Sequence, residues 1–383
     1  MVPKTNIQVW DVILSGSNKV IIITTRNFLP EMGGMQILMS DIAKHLSKHS
    51  KVKVFAEDIK NAQEFDQNQK YEIQRIKGFK FIRKFRKANQ IQDYFNQNKN
   101  ISALISDHWK SIEKLSKNIC QTVPTICLIH GKEINHPNGS PLNIRMKNSL
   151  SKAKYIIANS EFTKNLAIEK GIPEEKLKII NPGTDNVDED CDENAALEIY
   201  NNAKPKIITV CRLEKRKGLE QTLLALKNFE ARYENFRFII IGDGEEKQNL
   251  QKQVENLNLN KNIIFLSEAS FKLKNSLIKT ADFFIMPSIQ VGKSIEGFGI
   301  SFLEAAKYGT PSIGGIAGGA ADIIKHNETG LLCDGEKHDE IYNCLINIME
   351  NNKFESMGDK AKKFSEEFFW DKQIKKYLDL IQI

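Results

Sequence analysis

The chain has 383 residues, of which 41% are hydrophobic and 27% are charged, and its net charge at pH 7 is +7. This length suits two domains, and the composition is that of a soluble globular protein. No window approaches the length of a membrane span, and the residues before the first strand lack the apolar core of a signal peptide. The scattered cysteines form no C-x-x-C pair and so indicate neither a zinc site nor a disulfide framework. We therefore expect a protein of the reducing cytoplasm.

The first half of the chain alternates strand and helix patterns. A helix is predicted behind Gly33-Gly34 at 35–48, and apolar strand runs are predicted at 19–25, 51–56, 101–106, 125–129, 155–158 and 178–180. Such alternation indicates a parallel sheet covered by helices on both faces. Two of the strands end in polar residues, Asp107-His108-Trp109 and His130-Gly131, which places those residues at the carboxyl edge of the sheet, where such sheets bind ligands.

The pattern breaks at Asn181-Pro182-Gly183, and the acidic segment 185–194 is predicted to be a domain connection. Strands follow at 206–211, 236–241, 262–266, 282–286 and 311–313, with helices at 219–229, 300–308 and 360–383. The sequence therefore predicts an α/β protein with two doubly wound, Rossmann-like domains that face each other across a cleft. We expect the first domain to span 1–183 and the second 184–365, with the last helix, from about 366 to 383, packing back on the first.

The segment 288–330 carries two carboxylates beside predicted helix starts. Glu296 opens the glycine-bracketed loop Glu296-Gly297-Phe298-Gly299, and Glu304 lies about one turn into the helix 300–308. A second helix is predicted to open at Gly318-Gly319. Helix starts present unpaired backbone N–H groups, which attract phosphate, while carboxylates accept hydrogen bonds from sugar hydroxyls. The combination indicates a site for a sugar joined to a phosphate.

Two cations are placed to neutralise such a phosphate. Arg212 directly follows a predicted strand, and Lys217 precedes a predicted helix. Arginine can hold a phosphate through two parallel hydrogen bonds, and lysine acts as a point charge. The competing interpretation is that both are surface cations in a basic loop, as we expect for Lys215 and Arg216. Similarly, a lone histidine at a strand end, such as His130, is more often structural.

Taken in order, these motifs resemble family 4 glycosyltransferases of the GT-B fold, and the matches span most of the chain. They are Gly33-Gly34, His130-Gly131-x-Glu133, Ala158-Asn159-Ser160, Pro182-Gly183-x-Asp185, Arg212-Leu213 with Lys217-Gly218, Gly242-Asp243-Gly244, the Glu296 loop with Leu303-Glu304-Ala305, Gly309-x-Pro311 and Gly318-Gly319. The long loop before Glu296 and the stretch 318–322 resemble the phosphatidylinositol mannosyltransferase subgroup. Many relatives have glutamate where this chain has Asp322.

The resemblance implies roles for individual residues. Arg212 and Lys217 would contact the donor diphosphate, and Glu304 would bind the ribose hydroxyls. The predicted catalytic set is His130, Glu296, Arg212 and Lys217. The predicted donor-binding set is Gly33, Gly34, Arg212, Lys217, Glu296, Gly297, Phe298, Gly299, Ile300 and Glu304. The acceptor-side candidates are Asp107, His108 and Glu133, with core packing of Trp109 as the competing interpretation of the first strand end.

The resemblance also implies a hexosyltransferase that retains the anomeric configuration without a metal or another cofactor. The donor would be a nucleotide-diphosphate sugar, GDP-mannose first and UDP-glucose second, and the acceptor a glycolipid or a cell-surface saccharide such as a lipopolysaccharide. The first domain would be the acceptor side and the second would bind the nucleotide sugar. No nucleic-acid partner is expected.

Other classes of protein share parts of this pattern. Two acids also occur in glycoside hydrolases, but here phosphate-binding groups surround both of them. Asp190-Cys191-Asp192 has the letters of a metal-binding motif but follows no strand, so it is interpreted as solvated charge. A dehydrogenase is disfavoured because no G-x-G-x-x-G follows the first strand. A GT-B sugar-nucleotide epimerase and a non-catalytic carbohydrate-binding scaffold remain as alternatives.

The segment 75–87 is basic and aromatic, with no acid among its residues. If helical, it would place Phe81 and Phe85 on one face flanked by cations, a pattern typical of a helix on an anionic membrane surface. The membrane-surface candidates are Lys80, Arg83, Lys84, Arg86 and Lys87. The alternative is a solvated basic helix whose aromatics pack on its own domain. With the membrane interpretation, the enzyme would be peripheral on the inner face of the plasma membrane.

Overall fold

Two parallel β-sheets organise the chain in the computed structural model, which describes residues 19–186 and 191–382. The described part divides into two compact units. The N-terminal unit contains residues 19–159, 164–180 and 370–382, and the C-terminal unit contains 160–163 and 181–369 without the undescribed 187–190. Residues 187–190 of the predicted acidic connection 185–194, among them Asp190 of the rejected metal motif, lie outside the described residues.

The N-terminal unit is built on a seven-stranded sheet of order β3-β2-β1-β4-β5-β6-β7, in which all neighbours are parallel. Its strands are β1 (Val20–Thr24), β2 (Lys51–Glu57), β3 (Glu72–Ile76), β4 (Ile101–Ser106), β5 (Thr125–Ile129), β6 (Tyr155–Ala158) and β7 (Leu177–Ile179). Its helices are α1 (Gly34–Leu46), α2 (Ala62–Gln67), α3 (Lys80–Gln97), α4 (Trp109–Ile112), α5 (Lys117–Thr122), α6 (Pro141–Leu150) and α7 (Glu161–Glu169), the last beginning in residues grouped with the other unit.

The C-terminal unit is built on a six-stranded parallel sheet of order β10-β9-β8-β11-β12-β13. Its strands are β8 (Lys206–Val210), β9 (Arg237–Ile241), β10 (Ile263–Leu266), β11 (Phe283–Met286), β12 (Ser312–Gly315) and β13 (Gly330–Cys333). Its helices are α8 (Glu193–Tyr200), α9 (Leu219–Glu230), α10 (Lys247–Asn256), α11 (Phe271–Thr280), α12 (Ile300–Lys307), α13 (His338–Met349) and α14 (Lys353–Ser365), while α15 (Trp370–Ile381) belongs to the N-terminal unit.

The central strands are largely apolar because both faces of each sheet are covered. In β11, Phe283 and Ile285 pack into one hydrophobic cluster, and Phe284 and Met286 pack into another on the opposite face. The two clusters alternate in the same way along β8 and β9. This two-sided burial is the physical basis of the unbroken apolar runs from which the strands were predicted.

In both sheets the chain reverses its winding direction between two central strands, β1 and β4 in the first and β8 and β11 in the second. Doubly wound sheets bind ligands beyond the carboxyl ends of their strands at such a switch point. The loops that leave β1 and β4, and those that leave β8 and β11, are therefore the places where each unit can form a site.

The predicted parallel strands are confirmed, with bounds within two residues, but two helix predictions are wrong. The last helix is not continuous from 360: α14 ends at Ser365, a 3-10 turn spans Glu366–Phe368, and α15 begins at Trp370. Phe368 is buried in a core of the C-terminal unit and Trp370 in that of the N-terminal unit, and Phe369 between them has an extended backbone that interrupts the helix.

The second wrong prediction concerns Gly318-Gly319, which opens a four-residue 3-10 turn, Gly319–Asp322, rather than a helix. The residues that follow, Ile323 and Ile324, are buried in the core, and the chain then continues into β13. Strands β3 and β13 were not predicted; each lies at the edge of its sheet, where the demand for apolar residues on both faces is lower. Among the described residues no helix is long and apolar enough to cross a membrane.

Candidate functional site

The C-terminal unit holds a cluster of four charged side chains at the β8/β11 switch point. Arg216 Nη1 donates to Glu296 Oε2 at 2.7 Å, and Lys217 Nζ donates to the same oxygen. Arg216 Nε also donates to Glu214 Oε2 at 2.8 Å. The loop after β8 thus supplies Glu214, Arg216 and Lys217, and the loop after β11 supplies Glu296.

This cluster is largely shielded from water. The exposed side-chain fraction is 8% for Lys217, 13% for Glu296 and 18% for Arg216. Burial alone would raise the pKa of Glu296, but the charges of Lys217 and Arg216 and their hydrogen bonds lower it to about 2. Glu296 is therefore an anion at every physiological pH, so it can accept hydrogen bonds from hydroxyl groups but cannot serve as a general acid.

Glycines hold the Glu296 loop in place. Gly318 has a φ of 105°, and a Cβ added there would lie 2.3 Å from the carbonyl oxygen of Glu296. Gly319 N donates to that same oxygen at 2.9 Å, and a Cβ on Gly319 would lie 2.0 Å from the carbonyl oxygen of Gly297. The pair predicted to open a helix therefore serves a different purpose, which is to let two loops approach each other closely.

Asp322 ends the 3-10 turn that follows these glycines. Its carboxylate accepts from Glu161 N at 2.9 Å and from Asn181 Nδ2 at 3.2 Å. Burial raises its pKa, although the hydrogen bond from Glu161 N opposes this effect. In this chain the shorter acid links three segments of the C-terminal unit, which explains how aspartate functions at this position.

Glu304 lies on the second turn of α12, as predicted, and its Oε1 accepts from Lys274 Nζ of α11 at 2.7 Å. Of the predicted donor-binding residues in this loop, Phe298 is 2% exposed and packs against Phe368, so only its backbone is available to a ligand. Gly299 caps α12 with a φ of 88°, and Ile300 is the first residue of that helix. The backbone N–H groups of the first turn of α12 thus begin just after the Glu296 loop.

The side chains of Arg212 and Lys217 differ in their exposure to solvent. The Arg212 side chain is 66% exposed, and its nearest ionic partner is Glu214 at 3.4 Å. The Lys217 side chain is buried against Glu296. Sequence reasoning missed Arg216, which was expected to be a surface cation, and also Glu214 and Lys274. Three consecutive basic residues give no periodic signal of which ones point inward, so no feature of the sequence separates Arg216 from the exposed Lys215.

In the N-terminal unit, His130 and Glu133 form one structural motif at the carboxyl end of β5. The carboxylate of Glu133 accepts from His130 N at 2.5 Å, so Glu133 orients the His130 loop. His130 Nε2 lies 2.9 Å from the carbonyl oxygen of Asp107. Because a carbonyl oxygen can only accept, Nε2 carries a proton, and Nδ1 is the ring nitrogen that remains for other contacts.

Asp107 and His108 are buried rather than presented to an acceptor. The Asp107 carboxylate is 0% exposed and accepts from Ser111 Oγ at 2.5 Å, Arg26 N at 2.9 Å and Thr25 Oγ1 at 3.0 Å. His108 caps α4 by accepting from Lys110 N, and burial lowers its pKa well below the usual value. Their carboxylate and imidazole are engaged in tying β1, β4 and α4 together, so the acceptor-side prediction for these two side chains is corrected.

Trp109, Gly33 and Gly34 lie at the same edge of the sheet. Trp109 follows the competing interpretation, core packing, and the glycine pair follows the prediction of a helix start. Trp109 is fully buried, and its Nε1 donates to the carbonyl oxygen of Glu133 at 3.0 Å, which is core packing. Gly33 is the N-cap of α1, and Gly34 is its first residue, so the glycine pair stands at a helix start as expected. These residues position the loops after β1, β4 and β5 at one edge of the sheet.

The basic segment forms the end of β3 and the beginning of α3. Phe79, Phe81 and Phe85 are 76%, 69% and 50% exposed, so half or more of each residue is accessible to solvent. Arg83 Nη1 lies 3.4 Å from Glu57 Oε2, and Arg86 Nη1 donates to the carbonyl oxygen of Lys77. The side chain of Lys80 lies outside the described part.

Lys87 was predicted to face a membrane, and this is wrong. It is 3% exposed, and its Nζ donates to the carbonyl oxygen of Thr25 at 2.7 Å. Burial lowers its pKa. The residue lies two turns into α3, on the face that packs on the sheet, and there it fixes the helix to the end of β1.

The described residues contain no group of three or more His, Cys, Asp or Glu side chains placed to hold a metal ion. Asp192, the described acid of the rejected metal motif, caps α8: its carboxylate accepts from Ala195 N at 3.1 Å. It thus has a structural role at a helix start.

Two family models match consecutive parts of the chain. The model "Glycosyltransferase Family 4" matches residues 32–187, and "Glycosyl transferases group 1" matches residues 192–366. An uncharacterized glycosyltransferase of Methanocaldococcus jannaschii is 25% identical over 94% of this chain and 98% of its own length. The GDP-mannose-dependent alpha-(1-6)-phosphatidylinositol monomannoside mannosyltransferase of Mycolicibacterium smegmatis is 23% identical over 86% of this chain and 89% of its own.

Solved structures are similar over nearly the whole chain. Anabaena HepE in complex with UDP superimposes with a TM-score of 0.78 at 17% identity, covering 94% of this chain and 99% of the other. The sucrose-phosphate synthase of Thermosynechococcus elongatus gives a TM-score of 0.77 at 16% identity, covering 95% and 98%. At these identities the likeness shows the fold, which confirms the predicted GT-B class with its two Rossmann-like domains. The two family models, which together span residues 32–187 and 192–366, show that the chain belongs to the family 4, or group 1, glycosyltransferases.

Proposed function

We propose that the protein is a retaining, metal-independent hexosyltransferase that uses a nucleotide-diphosphate sugar and a lipid-linked or saccharide acceptor. The observation that carries this proposal is the shielded contact between Lys217 and Glu296 at the β8/β11 switch point, directly before the start of α12. This region brings together a cation for a diphosphate, a permanent anion for sugar hydroxyls and backbone N–H groups at a helix start.

Cleavage of the sugar–phosphate bond concentrates negative charge on the leaving diphosphate. Lys217 and the first turn of α12 are fixed donors for that charge, and the exposed Arg212 can close on it with two hydrogen bonds. Glu304 would exchange its contact with Lys274 for the ribose hydroxyls. Glu296 would bind hydroxyls of the donor sugar. In the N-terminal unit, His130, oriented by Glu133, is the proposed catalytic residue, and Gly33 and Gly34 are the proposed donor-binding residues.

Retention is proposed to proceed by a front-face displacement. The acceptor hydroxyl attacks the anomeric carbon on the side from which the diphosphate leaves, and the diphosphate oxygen takes the hydroxyl proton. No covalent glycosyl-enzyme forms in this scheme. Glu296, which has two cations on one oxygen and a pKa of about 2, is a weak nucleophile, in agreement with a binding role.

The donor is proposed to be GDP-mannose, with a UDP-hexose as the second choice. The first is favoured by mannosyltransferase relatives that are named as GDP-mannose-dependent. The second is favoured by the similar HepE structures, which were solved with UDP and with UDP-glucose. The acceptor is proposed to be a glycolipid or a cell-surface saccharide, of which a lipopolysaccharide is one type.

A panel of nucleotide sugars tests the proposal. We expect release of nucleoside diphosphate from one of them in the presence of EDTA, and an anomeric configuration in the product equal to that of the donor, read by NMR. Lys217→Met should lower kcat/KM at least a hundredfold, because it removes a charge-assisted contact to the leaving group. Lys215→Met, an exposed cation in the same loop, is the matched control and should remain near wild type.

Three outcomes would overturn the proposal. Isomerisation of the donor in the absence of acceptor would identify an epimerase. Nucleotide binding that is unchanged in both Arg212→Ala and Lys217→Ala would favour a non-catalytic scaffold. Loss of all activity on adding EDTA, with recovery on adding Mg²⁺, would refute metal independence.

We further propose that the start of α3 binds an anionic membrane surface, which would make the enzyme peripheral on the cytoplasmic face. The support is the exposure of Phe79, Phe81 and Phe85 within two helical turns. Basic side chains surround them: the Nζ atoms of Lys84 and Lys114 lie 5.2 Å and 5.1 Å from the centre of the Phe85 ring. Apolar rings with cations at their rim are suited to the boundary between acyl chains and anionic headgroups.

Flotation with vesicles tests the membrane proposal. We expect binding to vesicles containing phosphatidylglycerol, weaker binding to pure phosphatidylcholine, and at least a tenfold loss in the double variant Phe81→Ser/Phe85→Ser. Phe271→Ser, which changes a phenylalanine that is 60% exposed in the C-terminal unit, is the control and should bind like wild type. Equal binding of the double variant and the control would refute the proposal.

A further inference from the structure

Both cations of the cluster bind the same oxygen of Glu296. Oε2 accepts from Lys217 Nζ and from Arg216 Nη1, and among the contacts of the described residues none is made to Oε1. Arg216 has a second anchor in Glu214, whereas the ammonium group of Lys217 has Glu296 as its hydrogen-bonded partner. The two cations are therefore not equivalent: one side chain is held at two points and the other at one.

The chemistry of the two side chains matches this difference. A guanidinium group is planar and can bind two carboxylates at once through different nitrogens, as Arg216 does with Nε and Nη1. An ammonium group on a flexible four-carbon stem can exchange one anionic partner for another. Lys217 is thus suited to move between Glu296 and a diphosphate, and Arg216 to stay.

The backbone supports the fixed position of Arg216. Its carbonyl oxygen accepts from Ile289 N of the loop after β11 at 2.8 Å, so the two loops that carry Arg216 and Glu296 are joined. Gly218 has a φ of 71°, and a Cβ added there would lie 2.0 Å from the carbonyl oxygen of Pro287. The loop after β8 therefore lies directly against the segment that leads to Glu296.

A diphosphate that draws Lys217 away would leave Glu296 shielded from water with a full negative charge. An unpaired carboxylate in such a place is strongly unfavourable. The charges that act on it are Lys217 and Arg216, with Glu214 acting through Arg216. The nearby Cys211 thiol stays neutral because burial raises its pKa. Once Lys217 is engaged elsewhere, Arg216 is the remaining counter-charge in direct contact.

We propose that Arg216 is a positioning residue, which keeps the Glu296 carboxylate oriented with Oε1 available to the donor sugar while Lys217 binds the diphosphate. The inference rests on the proposed function. In this proposal Arg216 does not contact the substrate. Arg216 acts on the sugar through Glu296, and Glu214 holds the Arg216 side chain in place.

The test separates binding of the diphosphate from the use of the sugar. Calorimetry with UDP and with GDP, neither of which carries a sugar, should give Arg216→Gln the wild-type affinity within about threefold, since Lys217 remains. With the active nucleotide sugar, kcat should fall about ten- to a hundredfold, the loss typical of one charge-assisted hydrogen bond. The acid limb of the kcat profile should move toward neutral pH, because Glu296 loses one of its two cations. Arg216→Lys should restore kcat in part.

Two control variants accompany Arg216→Gln. Lys215→Gln should leave all three measurements unchanged, and Lys217→Gln should weaken UDP or GDP binding. If Arg216→Gln does not fold, Glu214→Gln carries the test, with a smaller change of kcat and of the pH profile in the same direction.

The inference is overturned if Arg216→Gln keeps the wild-type kcat and pH profile, or if it weakens UDP and GDP binding as much as Lys217→Gln does. Failure of the wild type to bind either nucleotide would instead refute the proposed function itself, and the inference would fall with it.

Discussion

The contact set of Glu296 allows a quantitative prediction for Glu296→Gln. The substitution keeps the size of the side chain and removes its charge. Two cations, Lys217 and Arg216, would then face each other with only Glu214 to balance them in a region where no side chain of the cluster exceeds 21% exposure. We expect the C-terminal unit to become less stable, because a buried ion pair that loses one partner leaves an uncompensated charge.

The lowered pKa of Glu296 sets the expected size of this loss of stability. Its depression from 4.5 to about 2 corresponds to about 3 kcal/mol, at about 1.4 kcal/mol for each pKa unit. At 13% exposure, solvent screening removes little of this effect. Because the pKa is lower in the folded state than in the unfolded state, the stabilisation is fully present above pH 4.5 and is lost as the pH falls toward 2. The variant should therefore be less stable by about 3 kcal/mol at pH 7, and its deficit should shrink in acid.

Urea unfolding of the two proteins at pH 7 and at pH 3 provides the assay. The described tryptophans, Trp109 and Trp370, lie in the N-terminal unit, so fluorescence would report on the wrong unit. Hydrogen-exchange mass spectrometry of peptides from β8 and β11 follows the correct one. Glu304→Gln is the control, because its pair with Lys274 is more exposed, at 28% for Glu304, and should contribute less than about 1 kcal/mol. A deficit below about 0.5 kcal/mol at pH 7, or an equal deficit at both pH values, would refute the reasoning.

Three further predictions use other contacts. Gly318→Ala should destabilise the C-terminal unit by about 2 kcal/mol or more and lower kcat, because the added Cβ meets the carbonyl oxygen of Glu296; a fully active variant with wild-type urea unfolding would contradict this. Glu133→Gln should reduce kcat about tenfold with little change in thermal stability, since it weakens the contact that orients His130, and steady-state kinetics with a melting curve would check it. Lys87→Glu should lower the melting temperature by several degrees, whereas Lys84→Glu should leave it unchanged and reduce vesicle binding; the opposite assignment would show that the burial of Lys87 is misunderstood.

The sequence alone determined the fold class, the family and the two-sheet organisation. Parallel strands buried on both faces must be apolar along their whole length, so runs such as 20–24 and 283–286 are visible without a structure. Gly299 before α12 and Gly309 after it likewise marked that helix to within a residue, because each adopts a positive φ that favours glycine. Local chemistry of this kind depends on neighbours in the chain and is therefore written in the sequence.

What only the tertiary structure decided is which polar side chains point inward and what they contact. Arg216 and Lys215 are adjacent and both basic, yet one binds Glu296, which is 80 positions away in the chain, and the other is exposed. Lys87, expected at a surface, is buried against the end of β1, and Asp107, expected to meet an acceptor, is enclosed by three donors from two segments, the end of β1 and α4. Such contacts join residues far apart in sequence, and an ion pair imposes no periodicity on the chain, so the geometry of the charged cluster had to come from the folded molecule.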